Sequence, residues 1–132
     1  MIVVDSSVFI AILEQEPEAD RFLSVAGAAA RRFASAVTVY ETGIVIGSRR
    51  GSSSGGEIMR FLAELDVEIV PFAEPHISHA LDAYRRFGKG IDPKARLNLG
   101  DCAAYALAKV LNAPLLFKGT DFSHTDVARC IY

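Results

Sequence analysis

Short apolar runs and helix-patterned stretches alternate along the whole of this 132-residue chain, and few folds accept that order. The apolar runs fall at Ile2–Val4, 33–36, Val67–Val70 and 115–117, with a short final one at 127–131. Between them, apolar spacing and end signals predict helices over 7–13, 17–26, 38–50, 57–65, 75–87 and 99–111. Strands that alternate with helices form a parallel sheet covered on both faces, so the expected class is α/β. The length suits one domain, spanning 1–132, with a sizeable core. The Gly- and Ser-rich stretch 51–56 reads as a flexible turn, too short for an interdomain linker. In the helix 38–50, Tyr40, Ile44, Val45 and Gly47 stay near one face. In 75–87 the equivalent set is Ile77, Ala80, Leu81 and Tyr84, while His76 and His79 read as surface positions. The Ala-rich helix 99–111 carries no basic residue before Lys109, reads as central and buried, and has Asn98 as its candidate cap.

Four acids sit where the chain leaves a strand or enters a helix. Asp5 closes the first run, Glu41 and Asp101 fall in the predicted first turns of 38–50 and 99–111, and Asp121 follows the run 115–117. The segment Thr38-Val39-Tyr40-Glu41 also has capping-box spacing. In a parallel α/β sheet, strand C-termini and helix N-termini share one edge, where such sheets bind ligands. Taken singly, each acid has an ordinary use as a cap or turn residue. Taken together they converge, and convergence has a physical cost. Two carboxylates about 4 Å apart repel by roughly 4 kcal/mol at an effective dielectric near 20. Bound protons or a cation must offset that repulsion. Oxygen donors without His or Cys select a hard cation, Mg²⁺ or Mn²⁺. Two such ions about 3.5–4 Å apart suit water activation and leaving-group stabilisation in phosphodiester hydrolysis. On this reading Asp5 and Asp101 hold the first ion, Glu41 completes that site or orients a water, and Asp121 supports the second.

Bulk properties narrow the partners. The chain is 51% hydrophobic with mean hydropathy +0.26, an apolar excess expected to be covered by a partner or a second copy. No run approaches the roughly 18 apolar residues of a membrane span. The start Met1-Ile2-Val3-Val4-Asp5 lacks a basic leader region, so a cytoplasmic location is expected. Cys102 and Cys130 form no CxxC pair and read as reduced, partly buried thiols. Net charge is −2, yet Arg85, Arg86, Lys89, Lys94 and Arg96 crowd one stretch against a single Asp92. That stretch is either a solvated helix end and loop or a phosphate-contacting rim. Phe122 and Tyr40 read as packing residues and His124 as a loop residue.

The stretches Met1-Ile-Val-Val-Asp-Ser-Ser-Val-Phe, Ser35-Ala-Val-Thr-Val-Tyr-Glu, Leu97-Asn-Leu-Gly-Asp-Cys-Ala-Ala-Tyr-Ala-Leu-Ala and Leu115-Leu-Phe-Lys-Gly-Thr-Asp-Phe carry a family resemblance. In order and spacing the chain resembles the PIN-domain ribonucleases, and among them the VapC-type toxins of toxin–antitoxin pairs. Asp5, Glu41, Asp101 and Asp121 match the family's metal-site acids, and Ser6 and Thr120 match polar positions beside them. The resemblance implies a three-layer α/β/α PIN-like domain with a parallel sheet of about five strands. It implies a Mg²⁺-dependent endoribonuclease leaving 5′-phosphate and 3′-hydroxyl ends, a VapB-type antitoxin that covers the acidic site, and a homodimer. Substrates in this family range from transfer RNA to ribosomal RNA.

Three other readings are weaker. A phosphatase of the HAD type needs a second Asp two positions after the first, where Ser7 stands. A phospho-receiver module needs an acid at the end of the third strand, where Pro71-Phe72 follow. A non-catalytic metal- or RNA-binding module of the same fold has no use for four clustered negative charges.

Overall fold

The computed structural model describes residues 1–51 and 54–132. Its elements run β1 (Ile2–Val4), α1 (Ser6–Leu13), α2 (Ala19–Ala28), β2 (Arg32–Ser35), α3 (Ala36–Arg50), α4 (Ser54–Glu64), β3 (Val67–Val70), α5 (Glu74–Phe87), α6 (Leu99–Leu111) and β4 (Leu115–Leu116). A 3-10 turn, Asp121–His124, follows β4. All strand pairs are parallel, in the order β3-β2-β1-β4. The chain builds outward from β1 to β3, then crosses back to lay β4 on the other side of β1. That reversal makes the β1/β4 crevice the topological switch point.

Strand alternation explains why both faces need cover. Val3, Phe33 and Leu115 point into one core with Tyr105, Leu107 and Ala108 of α6 and Ala83 of α5. Ile2, Val4, Ala34 and Leu116 point into the other, against Phe9 of α1, Phe22 of α2, Ile46 of α3 and Ile58 and Leu62 of α4. A period of two on strands this short means that every residue of β1 is buried. Ala-rich α6 has eight buried residues and lies close against its neighbours. No helix among the described residues is long and apolar enough to cross a membrane.

Several expectations shift. The sheet has four strands among the described residues: the run at 127–131 is reduced to a single bridge between Leu115 and Arg129. Helix α3 starts two residues before the expected 38, and its cap is Ser35 and not Thr38: Ser35 at the end of β2 accepts the Val37 N–H at 3.2 Å. The earlier start puts Glu41 in the second turn and leaves Thr38 inside the helix. It also changes the buried face, which carries Thr38, Thr42 and Ile46, while Tyr40 and Ile44 are 72% and 55% exposed. Thr42 tolerates burial because its hydroxyl donates to the Thr38 carbonyl at 2.8 Å. On α5, Ile77, Leu81 and Tyr84 face outward, and His76 is buried with Nδ1 accepting the Ala73 N–H at 3.0 Å. His79 is exposed and Phe122 is buried, as the sequence predicts. Of the 51–56 stretch, Ser52 and Ser53 lie outside the described residues, and Gly55 and Gly56 belong to α4.

Candidate active site at the switch point

Three of the acids are delivered by element ends and the fourth, Glu41, by the second turn of α3. Asp5 follows β1 and is also the N-cap of α1, accepting the Ser7 N–H at 3.0 Å on Oδ2. Its own N–H donates to the Leu116 carbonyl at 3.0 Å, so it stays stitched to β4. Asp101 is the third residue of α6 and forms a reciprocal cap with Asn98. The Asn98 N–H donates to Asp101 Oδ2 at 3.0 Å, and the Asp101 N–H donates to Asn98 Oδ1 at 2.9 Å. Glu41 reaches in from α3, and Asp121 opens the 3-10 turn after β4.

Two hydroxyls in the first turn of α1 aim two of these acids. Ser6 Oγ donates to Glu41 Oε1 at 2.7 Å, and Ser7 Oγ donates to Asp5 Oδ2 at 2.6 Å. Gly100 supplies the remaining space. A Cβ at that position would fall 2.4–2.5 Å from the Glu41 carboxylate, so only glycine lets Glu41 settle against the start of α6. Thr120 is exposed at the cap of the 3-10 turn and its side chain makes no capping bond.

The carboxylates sense one another. Burial raises Asp101 to about 7, assisted by the charge of Asp5 and then of Glu41 and Asp121, against the Asn98 N–H that lowers it. Burial raises Asp5 to about 6, opposed by the Ser7 hydroxyl and N–H, with Glu41 adding to the rise. Like charges in a partly desolvated crevice hold their protons in this way. Asp5 Oδ1 is buried and has no hydrogen-bond partner. None of the four acids takes part in an ion pair among the described residues. The four do not close into a ready-made cage either: among those residues no set of three His, Cys, Asp or Glu side chains is arranged to hold an ion. An all-oxygen set with one orphaned buried oxygen and no internal cation fits a hard divalent ion that keeps most of its water.

The basic stretch divides. Arg85 is tied to Asp82 at 2.6 Å, and Arg86 to Asp82 at 3.1 Å and Asp126 at 3.5 Å. Lys89, Lys94 and Arg96 are exposed on the loop between α5 and α6 and join no ion pair among the described residues. Sequence reading passed over Ser7 and Gly100. The local signal reaches only the Ser7 N–H, which stands at the spacing by which an N-cap Asp is bonded; the hydroxyl's contact to Lys118 and the approach of Glu41 to Gly100 are not local.

Fold and site together define a PIN-type domain, a parallel α/β sheet that gathers acids from four separate elements at its switch point. The family model described as PIN domain matches residues 2–128, and the chain belongs to that family. Within it, the chain belongs to the VapC group. It is 42% identical over 126 residues to Ribonuclease VapC30 of Mycobacterium tuberculosis, covering 96% of this chain and 95% of that one. It is 44% identical over 126 residues to Ribonuclease VapC of Mycolicibacterium smegmatis, covering 96% and 97%. Among solved structures, Mycobacterium tuberculosis VapC20, described as a sarcin-ricin loop cleaving toxin, superposes with TM-score 0.79 at 14% identity over 98% of both chains. A toxin–antitoxin complex from Klebsiella pneumoniae gives 0.73 at 16% identity, covering 100% of this chain and 98% of that one. At those identities the structures speak for the fold.

Proposed function

We propose that this chain is a metal-dependent endoribonuclease toxin whose active site is the Asp5, Glu41, Asp101 and Asp121 cluster. The observation that carries this is the orphaned, buried Asp5 Oδ1 among carboxylates that no arginine or lysine pairs with among the described residues. Full-length identity of 42–44% to VapC ribonucleases supports RNA as the substrate. Asp5 and Asp101 would hold Mg²⁺ or Mn²⁺, with Glu41 and Asp121 completing the set. When bound, the ion supplies a lowered water pKa and Lewis-acid stabilisation of the phosphoryl oxygens. The chain's own work is positional. Ser6 holds Glu41, the Asn98 cap holds Asp101, and Gly100 leaves room for the Glu41 carboxylate. Thr120 offers a hydroxyl beside Asp121. Lys89, Lys94 and Arg96 would take the RNA phosphates, with Arg85 and Arg86 neutralised by Asp82 and Asp126. A VapB-type antitoxin is the expected inhibitor, and a second copy of the chain the expected cover for the outer face of α5.

The test uses the purified full chain with labelled RNA and Mg²⁺ or Mn²⁺. Wild type is expected to generate new 5′-phosphate ends. Asp101→Asn is expected to lose cleavage by at least about a hundredfold with an unchanged circular dichroism spectrum. An Asp101→Asn protein that cuts at the wild-type rate, or a wild type that cuts no RNA with either ion, overturns the reading.

A further inference from the structure

We propose that Ser7 is a positioning residue: its hydroxyl bolts the β1 and β4 strand ends together and fixes which Asp5 oxygen is free to meet a cation. The inference rests on the metal-site reading above and goes beyond it, to a side chain outside the acid set.

Ser7 Oγ makes two bonds of opposite sense. A backbone N–H can only donate, so the 3.0 Å contact from the Lys118 N–H makes Ser7 Oγ the acceptor. The hydroxyl's single proton is then free for Asp5 Oδ2, at 2.6 Å. Oδ2 also receives the Ser7 N–H at 3.0 Å, so one Asp5 oxygen carries two bonds while Oδ1 is buried with none. The carboxylate thus has one rotational setting that satisfies the α1 cap and the serine together, and that setting presents Oδ1.

The Lys118 end is anchored as firmly. Residues 7 and 118 lie 111 positions apart in sequence. The Lys118 ammonium pairs with Glu18 at 2.8 Å and with Glu16, both in the stretch joining α1 to α2. The segment leaving β4 is therefore gripped on its backbone side by Ser7 and on its side-chain side by two glutamates. Three residues on, the same segment delivers Asp121. Ser7 couples the placement of Asp5 to that of Asp121, which lie on the two sides of the switch-point crevice.

Capping α1 needs only the Ser7 N–H, which Ser7→Ala retains. The hydroxyl is surplus to the helix and serves the joint. Partners that orient metal-binding carboxylates change metal affinity by about 10–100-fold when removed. The probe is Mn²⁺ alone, titrated calorimetrically into the full chain without RNA. Ser7→Ala is expected to weaken Mn²⁺ binding by about tenfold or more, and Ser7→Thr to restore it to within about threefold of wild type. If Ser7→Ala does not fold, Ser7→Cys keeps the volume with a poor hydrogen-bonding group and carries the same expectation. A Mn²⁺ affinity unchanged in the serine variants, with only the melting temperature lowered, overturns the inference and leaves the nuclease reading standing. A wild type that neither binds Mn²⁺ nor cleaves RNA removes both.

Discussion

A buried carboxylate with one oxygen unpartnered makes the folded chain less stable wherever its proton is gone. Asp5 titrates at about 6 in the fold against an ordinary 3.8, and Asp101 at about 7. Below pH 3.8 the folded and unfolded chains both hold these protons, and neither group affects stability. Between the ordinary and the raised values the folded state holds more protons than the unfolded one. Stability therefore falls as pH rises through that window, and above it the loss is complete. For Asp5 the loss is up to about 3 kcal/mol. In EDTA, wild type is expected to melt lower at about pH 7.5 than at about pH 4.5, and Asp5→Asn to flatten that slope and melt above wild type at the higher pH. Adding Mn²⁺ at the higher pH should reverse the order, because a ligand that binds only the folded wild type raises its melting point. Parallel pH curves for the two proteins would show that the Asp5 charge carries no such penalty.

Among the elements, the loop from Gly88 to Leu97 presents three exposed cations that join no ion pair among the described residues, Lys89, Lys94 and Arg96, and it is pinned at both ends. The Lys89 N–H donates to the Leu97 carbonyl and the Leu97 N–H to the Phe87 carbonyl, each at 2.8 Å. Asp92 Oδ1 accepts the Lys94 and Ala95 N–H groups at 2.7 and 3.1 Å, and those bonds hold its carboxyl below the usual range. Ala95 and Leu97 are buried, whereas Arg96 between them is exposed in a left-handed conformation at φ 56°. The backbone of this loop is held by its own hydrogen bonds and leads straight into the Asn98 cap, which links it in sequence to Asp101. In an Asp101→Asn background, Arg96→Ala is expected to flatten the salt dependence of single-stranded RNA binding by about 0.7 in log–log slope. Arg85→Ala, already balanced by Asp82, should leave the slope unchanged; equal effects from the two would dissolve the distinction. The sequence announces the charge run and the loop, but not which cations are spoken for, since Asp126 lies 40 residues from Arg86. The same limit governs α3. Its span was legible from apolar spacing, yet its buried face was not, because that face carries two polar residues, Thr42, whose hydroxyl bonds the Thr38 carbonyl, and Thr38, whose own hydroxyl is buried without a partner among the described residues. Asp5, Asp101 and Asp121 were legible because strand ends and helix caps are local signals, whereas Glu41, expected in a first turn, stands in the second. Ser7 and Gly100 act through contacts to Lys118 and Glu41, and no local pattern encodes those.

At the scale of the molecule, sheet order decides what is left uncovered. β1 and β2 are interior strands, and helices on both faces bury their side chains. Helix α5 covers α6 with one face and turns Ile77, Leu81 and Tyr84 outward, at 46%, 67% and 45% exposure. With Phe72 before α5 and Leu99 at the start of α6, they border a groove of about 590 Å³ that ends beside Asn98 and Lys89. An apolar face of this kind on a 132-residue chain is where the 51% hydrophobic content surfaces. A stable pair of subunits hides about 800 Å² on each side, with a few large apolar side chains near the centre carrying most of the affinity. Leu81 lies mid-helix and exposed, so a charge there disturbs no internal packing. Leu81→Glu is expected to keep the wild-type circular dichroism spectrum, with its melting temperature lowered only by the loss of subunit association. In sedimentation it should shift the chain from dimer to monomer, with the dissociation constant raised by about thirtyfold or more. A Leu81→Glu protein that still sediments as a dimer would place the subunit contact on another face. A wild type that sediments as a monomer at high concentration would leave the groove to a different partner.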